Sequence, residues 1–234
     1  PPHELGIPGG NLTPLPDLVT YKQVYAQHAG TQDYVDLLTL IELALQLPDA
    51  AFVESIVEIV RVDDVLVYLA VMAVIQNQDH IKKNYYLYRD PAAKDCRWEV
   101  WPWDLDLSFG RLWTAEKQVL DDEIFHDADP WVGVNKGHAF YNQLYDRLLH
   151  VPKWRTRYLQ FITKLLQYPF TEAFIQDRLD HAVCQMTPDL LADANKRSDN
   201  TDYLARVAEI GAFVKKRRAF LENLLEKEAI RAAE

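Results

Sequence analysis

Three consecutive stretches decide the fold. They are Val65-Leu66-Val67-Tyr68-Leu69-Ala70-Val71-Met72-Ala73-Val74-Ile75, then Gln76-Asn77-Gln78-Asp79-His80-Ile81-Lys82-Lys83-Asn84, then Tyr85-Tyr86-Leu87-Tyr88. The first is apolar and rich in Val, which favours strands by propensity. Its length and the acidic pair Asp63-Asp64 just before it instead predict a helix over 63–75, buried nearly all round. At eleven residues it is about half of the roughly 20 that a membrane span needs. The polar stretch ends that helix. Tyr85–Tyr88 then reads as a strand, 91–95 as a turn and Trp98–Trp101 as a second strand, which together make a β-hairpin. The second strand runs straight into Pro102-Trp103-Asp104-Leu105-Asp106-Leu107-Ser108-Phe109-Gly110.

Helices flank this unit on both sides. Upstream, Tyr34, Leu37, Leu38, Ile41 and Leu45 recur at helical spacing over 33–47, and Pro48-Asp49 starts a second helix lined by Phe52, Ile56, Ile59 and Val60. Downstream, helices are expected over 139–149, 152–167, 171–184, 188–195 and 202–228. Residues 1–17, with five prolines and three glycines, form an irregular lead-in, and 18–234 form one unit. Gly9-Gly10-Asn11 follows no strand and lacks the spacing of a phosphate-cradling loop, so it reads as an ordinary turn. The segment 114–138 is long, polar and acidic. The fold class is mainly α with a small β-hairpin. The chain opens at Pro1 without Met and reads as a processed piece of something longer.

Composition narrows the function. The 234 residues carry 25 Lys+Arg against 35 Asp+Glu, a net charge of -10. This argues against a general nucleic-acid binder, which needs basic residues to dominate some face. Cys96 and Cys184 form no CxxC pair, which excludes the usual structural zinc site and leaves one disulfide or two free thiols open.

The hairpin brings its two open ends side by side. One end carries Asp79 and, five residues on, Asn84; the other carries Asp104 and Asp106. Phosphoryl transfer from ATP needs Mg²⁺ held by oxygen ligands and a carboxylate to take the proton of the incoming hydroxyl. Protein kinases supply these with an Asp, an Asn five residues later, a short hairpin and a second Asp. Each piece alone has a plainer reading. Asp79-His80 could be a helix C-terminal turn, Asn84 a strand-leading residue, and Asp104-Leu105-Asp106 a solvated strand end. Their order around one hairpin favours a site. Lys82 and Lys83 could touch phosphate or form a solvated charge run. Trp98, Trp101 and Trp103 read as core residues.

At these residues the sequence resembles the spore-coat-protein-H (CotH) kinases, a family of atypical protein kinases. The resemblance rests on Gln78 through Asp90 and on Trp98 through Gly110. It extends to Tyr21–Tyr25, Asp33–Leu37 and Arg217–Leu221. It implies a protein-kinase-like C-terminal lobe (α+β) and ATP- and Mg²⁺-dependent (or Mn²⁺-dependent) phosphorylation of Ser or Thr in a protein substrate, basic or Ser-rich. Location in a spore coat, or secretion to a cell surface, is implied as well. Carried over, Asp79 would be the base or the substrate-orienting acid, Asn84 and Asp104 would hold metal, and Asp106 would support the same site or bind a second ion. Lys82 and Lys83 would reach the nucleotide phosphates, and helix 63–75 would be the strut under the catalytic loop. Ile81 stands two residues after Asp79, where many kinases have Lys. Lys22, the only lysine before Asp79, sits in an expected helix, so the sheet and Lys of an N-terminal lobe are not evident. Two other readings compete. One is a non-catalytic, pseudokinase-like module of a coat or surface protein. The other is a glycosyltransferase using Asp104-Leu105-Asp106, which lacks the expected βαβ pattern.

Overall fold

The structure is a computed structural model that describes residues 10–30, 33–77, 80–81, 83–111, 142–195 and 202–232. It is mainly helical, with one two-stranded antiparallel sheet. The expected acidic segment 114–138 lies outside the described residues.

Helix α1 (Leu18–Val24) starts at Asp17, whose carboxylate accepts from the Thr20 amide and hydroxyl. These bonds, the amide's first, hold its pKa below the ordinary carboxylate value. Helix α2 (Val35–Leu38) runs directly into a π-helical segment, Thr39–Ala44. Helix α3 (Asp49–Ile59) buries Phe52 and Ile56.

Helix α4 (Val62–Val74) is the centre of the molecule. Val62, Val65, Leu66, Tyr68, Leu69, Ala70, Met72, Ala73 and Val74 are all buried, as its sequence predicts. It packs along α6 (Pro152–Gln167), whose Trp154, Tyr158, Ile162 and Leu166 form one buried stripe at helical spacing. Pro152 opens α6 at a position where a missing N–H costs nothing. Helix α5 (Gln143–His150) precedes it, capped by Asn142.

Strands β1 (Tyr85–Tyr88) and β2 (Glu99–Pro102) pair with Tyr85 opposite Pro102 and Tyr88 opposite Glu99. The second strand begins one residue later than its pattern suggests, because Trp98 is drawn into a parallel bridge with Val60. The Trp98 amide donates to the Ile59 carbonyl (2.8 Å) and the Arg61 amide to the Trp98 carbonyl (2.9 Å). Arg97 grips Asp95 with two nitrogens and donates to the Val57 carbonyl, and Arg61 reaches Glu99 at 3.0 Å. The turn end of the hairpin is thus tied to the α3–α4 junction.

Helices α7 (Glu172–Ala192) and α8 (Asp202–Arg231) complete the described chain. The expected break at Pro188 is absent, and α7 continues through it. The carbonyl that Pro188 leaves without its helical partner is that of Cys184, which is exposed, in a helix with no buried residue. Both cysteines are free thiols, Cys96 half-buried and Cys184 exposed. Among the described residues no helix is long and apolar enough to cross a membrane.

Candidate active site at the open end of the hairpin

Three segments meet where the hairpin opens: the end of α4, the start of β1 and the chain leaving β2. The Trp103 amide donates to the Asn84 carbonyl (3.1 Å), which extends the β ladder by one bond. Beyond it the Asn84 side-chain amide reaches the Asp104 carbonyl at 3.5 Å. Both residues have left-handed backbones, φ 60° at Asn84 and 53° at Asp104. Asn and Asp tolerate that region better than other side chains. The turn it produces swings the chain off the strand axis and leaves Asp104 and Asp106 at the surface.

The next residues fold back onto α4. The Phe109 amide donates to the Ile75 carbonyl (2.6 Å) and the Gly110 amide to the Gln76 carbonyl (3.2 Å). The Asn77 side-chain amide donates to the Ser108 hydroxyl (3.1 Å), and that hydroxyl donates to the Leu105 carbonyl (2.7 Å). The carbonyls of Ile75 and Gln76, just past the end of α4, therefore anchor the loop carrying the two acids. Gln76 and Phe109 are left-handed as well, at φ 49° and 57°.

His80 and Ile81 are buried behind this layer. The imidazole Nδ1 donates to the Asn77 carbonyl (3.0 Å), and the ring meets Tyr68 edge-on. Burial lowers its pKa to about 4, so the ring is neutral near pH 7. Asn142 is fully buried and makes contact on two sides. Its amide nitrogen donates to the Ile81 carbonyl and to the Tyr85 hydroxyl, both at 3.1 Å, while its oxygen accepts the Leu144 and Tyr145 amides that start α5. Burial raises the Tyr85 and Tyr145 hydroxyls well above the ordinary phenol value.

Of the site residues expected from sequence, Asn84 and Asp104 are brought together, and Asp106 lies two residues further along the exposed turn. Lys83 is exposed. Asp79 and Lys82 lie outside the described residues. Among the described residues Asp104 and Asp106 make no ion pair, and no three His, Cys, Asp or Glu cluster closely enough to hold a metal unaided. Amide and carboxylate oxygens are hard donors suited to Mg²⁺, which characteristically takes one or two protein ligands and completes its shell with phosphate and water. The donor set therefore fits that ion.

One expectation is corrected here. Trp98 is half-buried against the core, but Trp101 and Trp103 are 53% and 58% exposed. They stand on the outer face of the hairpin, pairing across the strands with Tyr88 and Tyr86 at ring distances of 5.5 Å each. With only two strands, one face of the sheet covers α4, and the other stays largely exposed, with His28 meeting Tyr86 edge-on there at 5.7 Å. Asn142 and the buried His80 were not singled out by the sequence. Asn142 had a local signal, an N-cap residue type before an apolar-periodic helix, but its hold on Ile81 spans 61 residues and has none.

The described residues form a helical body with one hairpin, whose open end carries Asn84, Asp104 and Asp106. The chain belongs to the CotH kinase protein family, which it matches over residues 16–221. It is 27% identical over 202 residues to the inner spore coat protein H of Bacillus subtilis (strain 168), an alignment that covers 86% of this chain and 52% of that protein. The chain thus spans about half the length of that relative.

Proposed function

We propose that this chain is the C-terminal-lobe part of an ATP- and Mg²⁺-dependent protein Ser/Thr kinase of CotH type, acting with nucleotide-gripping elements supplied from outside its own described fold. The observation that carries this reading is the meeting of Asn84 and Asp104 at the hairpin's open end. Two oxygen-bearing side chains 20 residues apart are held in left-handed turns, with no ion pair consuming the Asp104 carboxylate among the described residues.

In this reading Asn84 and Asp104 hold the metal, and Asp106 supports the same ion or a second one. When bound, Mg²⁺ neutralises the charge gathering on the transferred phosphoryl group. Asp79 orients the acceptor hydroxyl and takes its proton. Lys82 or Lys83 supplies positive charge to the phosphates, Lys83 from an exposed position. The Phe109 and Gly110 amides, fixed on the end of α4, keep the acidic turn from moving when charge develops. The acceptor is a protein, basic or Ser-rich, and the relative's name supports a place in the spore coat.

The test is transfer of label from γ-³²P-ATP to a Ser-containing protein, with Mg²⁺ and then Mn²⁺, by the full-length polypeptide that carries this chain. Asp79→Ala and Asp104→Asn should each lower incorporation by at least about a hundredfold, more than the loss of an outer-shell partner. Asp104→Asn keeps the shape and the left-handed tolerance of the position, so the charge alone is removed. Full activity in both variants would reject the assignment. The relative is named only as a coat protein, which favours a second reading, a non-catalytic coat module. In that case the unsubstituted protein would transfer nothing while still assembling into coat.

A further inference from the structure

Arg217 is the largest fully buried side chain described, and the phosphotransfer chemistry above gives it no part. It lies on α8, and its Nε and Nη2 both donate to the Ala73 carbonyl, at 3.2 and 2.6 Å. Its guanidinium also lies 5.0 Å from the Phe220 ring centre. Ala73 is in the last turn of α4, at the negative end of the helix dipole, and its carbonyl also accepts the Gln76 amide at 3.3 Å. A buried cation is costly unless compensated, and this position compensates it in part.

The neighbouring turn of α8 does related work. Phe213, four residues before Arg217, is fully buried and meets Phe109 edge to face at 5.8 Å. Positions four apart lie on one helix face. One face of α8 therefore touches the end of α4 through Arg217 and the loop after the two acids through Phe213. Those two segments are the pair joined by the Phe109–Ile75 and Gly110–Gln76 bonds.

We propose that Arg217 and Phe213 are positioning residues. Together they clamp the acidic turn against the end of α4 and so set the separation between the catalytic stretch and the metal-holding turn. Arg217 acts through the Ala73 carbonyl and Phe213 through the Phe109 ring. The role in transfer rests on the kinase reading, whereas the clamp itself does not.

The test uses the full chain and two readouts. The first is amide hydrogen exchange at Phe109 and Gly110, with the Leu87–Val100 ladder as internal reference. Arg217→Met should speed exchange at Phe109 and Gly110 by at least about tenfold, the equivalent of one lost charge-assisted hydrogen bond, and leave the ladder unchanged. Arg217→Lys, which keeps the charge but not the two-pronged geometry, should fall between. Phe213→Leu should speed the same two amides, and serves alone should Arg217→Met fail to fold. The second readout is the Mg²⁺ concentration for half-maximal transfer, which should rise in Arg217→Met and recover partly in Arg217→Lys. Unchanged protection of Phe109 and Gly110 in the folded variants, or equal acceleration of every amide, would overturn the clamp. An unsubstituted protein that transfers no phosphate would overturn the kinase reading, while the exchange data still decide the clamp.

Discussion

His80 should make this protein acid-sensitive in a way that one substitution can isolate. The folded chain holds the imidazole neutral down to about pH 4, against 6.5 for an ordinary histidine, because the ring is buried. Between those values the unfolded chain takes up a proton that the folded chain refuses. Stability is therefore fully present above about pH 6.5 and falls as the pH drops toward 4. The slope from this one group is about 1.4 kcal/mol per pH unit, and from pH 7 to pH 4.5 the loss is about 2 kcal/mol.

His80→Gln removes the titration and keeps an N–H that can reach the Asn77 carbonyl. The variant should be less stable at pH 7, through imperfect packing, and its pH dependence should be shallower. The assay is urea unfolding followed by tryptophan fluorescence and far-ultraviolet circular dichroism at pH 7.0, 6.0, 5.25 and 4.5. The stability gap between the two proteins should narrow by about 2 kcal/mol across that range, a relative midpoint change of roughly 1 M urea. All other titrating groups are common to both proteins and cancel in the difference. A gap that stays constant to within about 0.5 kcal/mol would show that His80 is protonated in the folded chain, or open to water, and the reasoning would fail.

Two further outcomes follow from the same geometry. Asn142→Ala should cost about 2–4 kcal/mol in urea unfolding, because it removes the α5 cap and leaves the buried Ile81 carbonyl short of a donor. Its effect should exceed that of Asn11→Ala, whose Oδ1 among the described residues accepts from Thr13 close by. Trp101→Ala and Trp103→Ala should each cost no more than about 1 kcal/mol, the worth of one cross-strand aromatic pair. Both should remove a fluorescence component that acrylamide quenches readily.

The elements that could be read from sequence are those whose signal is local. Helices α3, α4 and α6 follow from apolar spacing and from Pro48, Asp63 and Pro152 at their starts. The hairpin follows from two aromatic runs around a polar turn. What could not be read depends on distant partners or on solvent. The π-helical segment at Thr39–Ala44 keeps nearly helical spacing, so its apolar pattern does not betray it. The late start of β2 is set by Val60, 38 residues away from Trp98. Alternation in β2 separates two faces but does not say which one α4 covers, which is why Trp101 and Trp103 were read as core. The pairing of Asn84 with Asp104 was readable because a hairpin must bring its ends together. The supports behind it, Asn142 and Arg217, lie on helices whose approach to the site no local pattern reports.

Backbone conformation links the site's construction to its use. Among the described residues six non-glycine positions have positive φ, and Gln76, Asn84, Asp104 and Phe109 are four of them. Each such residue costs on the order of 1 kcal/mol or more relative to a relaxed backbone, least for Asn and Asp. Glycine would relieve all four, so the side chains present must offset the cost. Asn84 spends its amide on the Asp104 carbonyl, Phe109 sets its ring against Phe213, and Gln76 is buried. Asp104 alone is exposed, and its side chain makes no hydrogen bond or ion pair among the described residues. The Asp104 carboxylate is strained, solvent-facing and unpaired among the described residues, so the proposed metal role would draw on it without breaking a described contact. Replacing Asp104 with Gly should therefore stabilise the protein while abolishing transfer. If Asp104→Gly instead proved destabilising, the carboxylate would be structural and the metal assignment would lose its best residue.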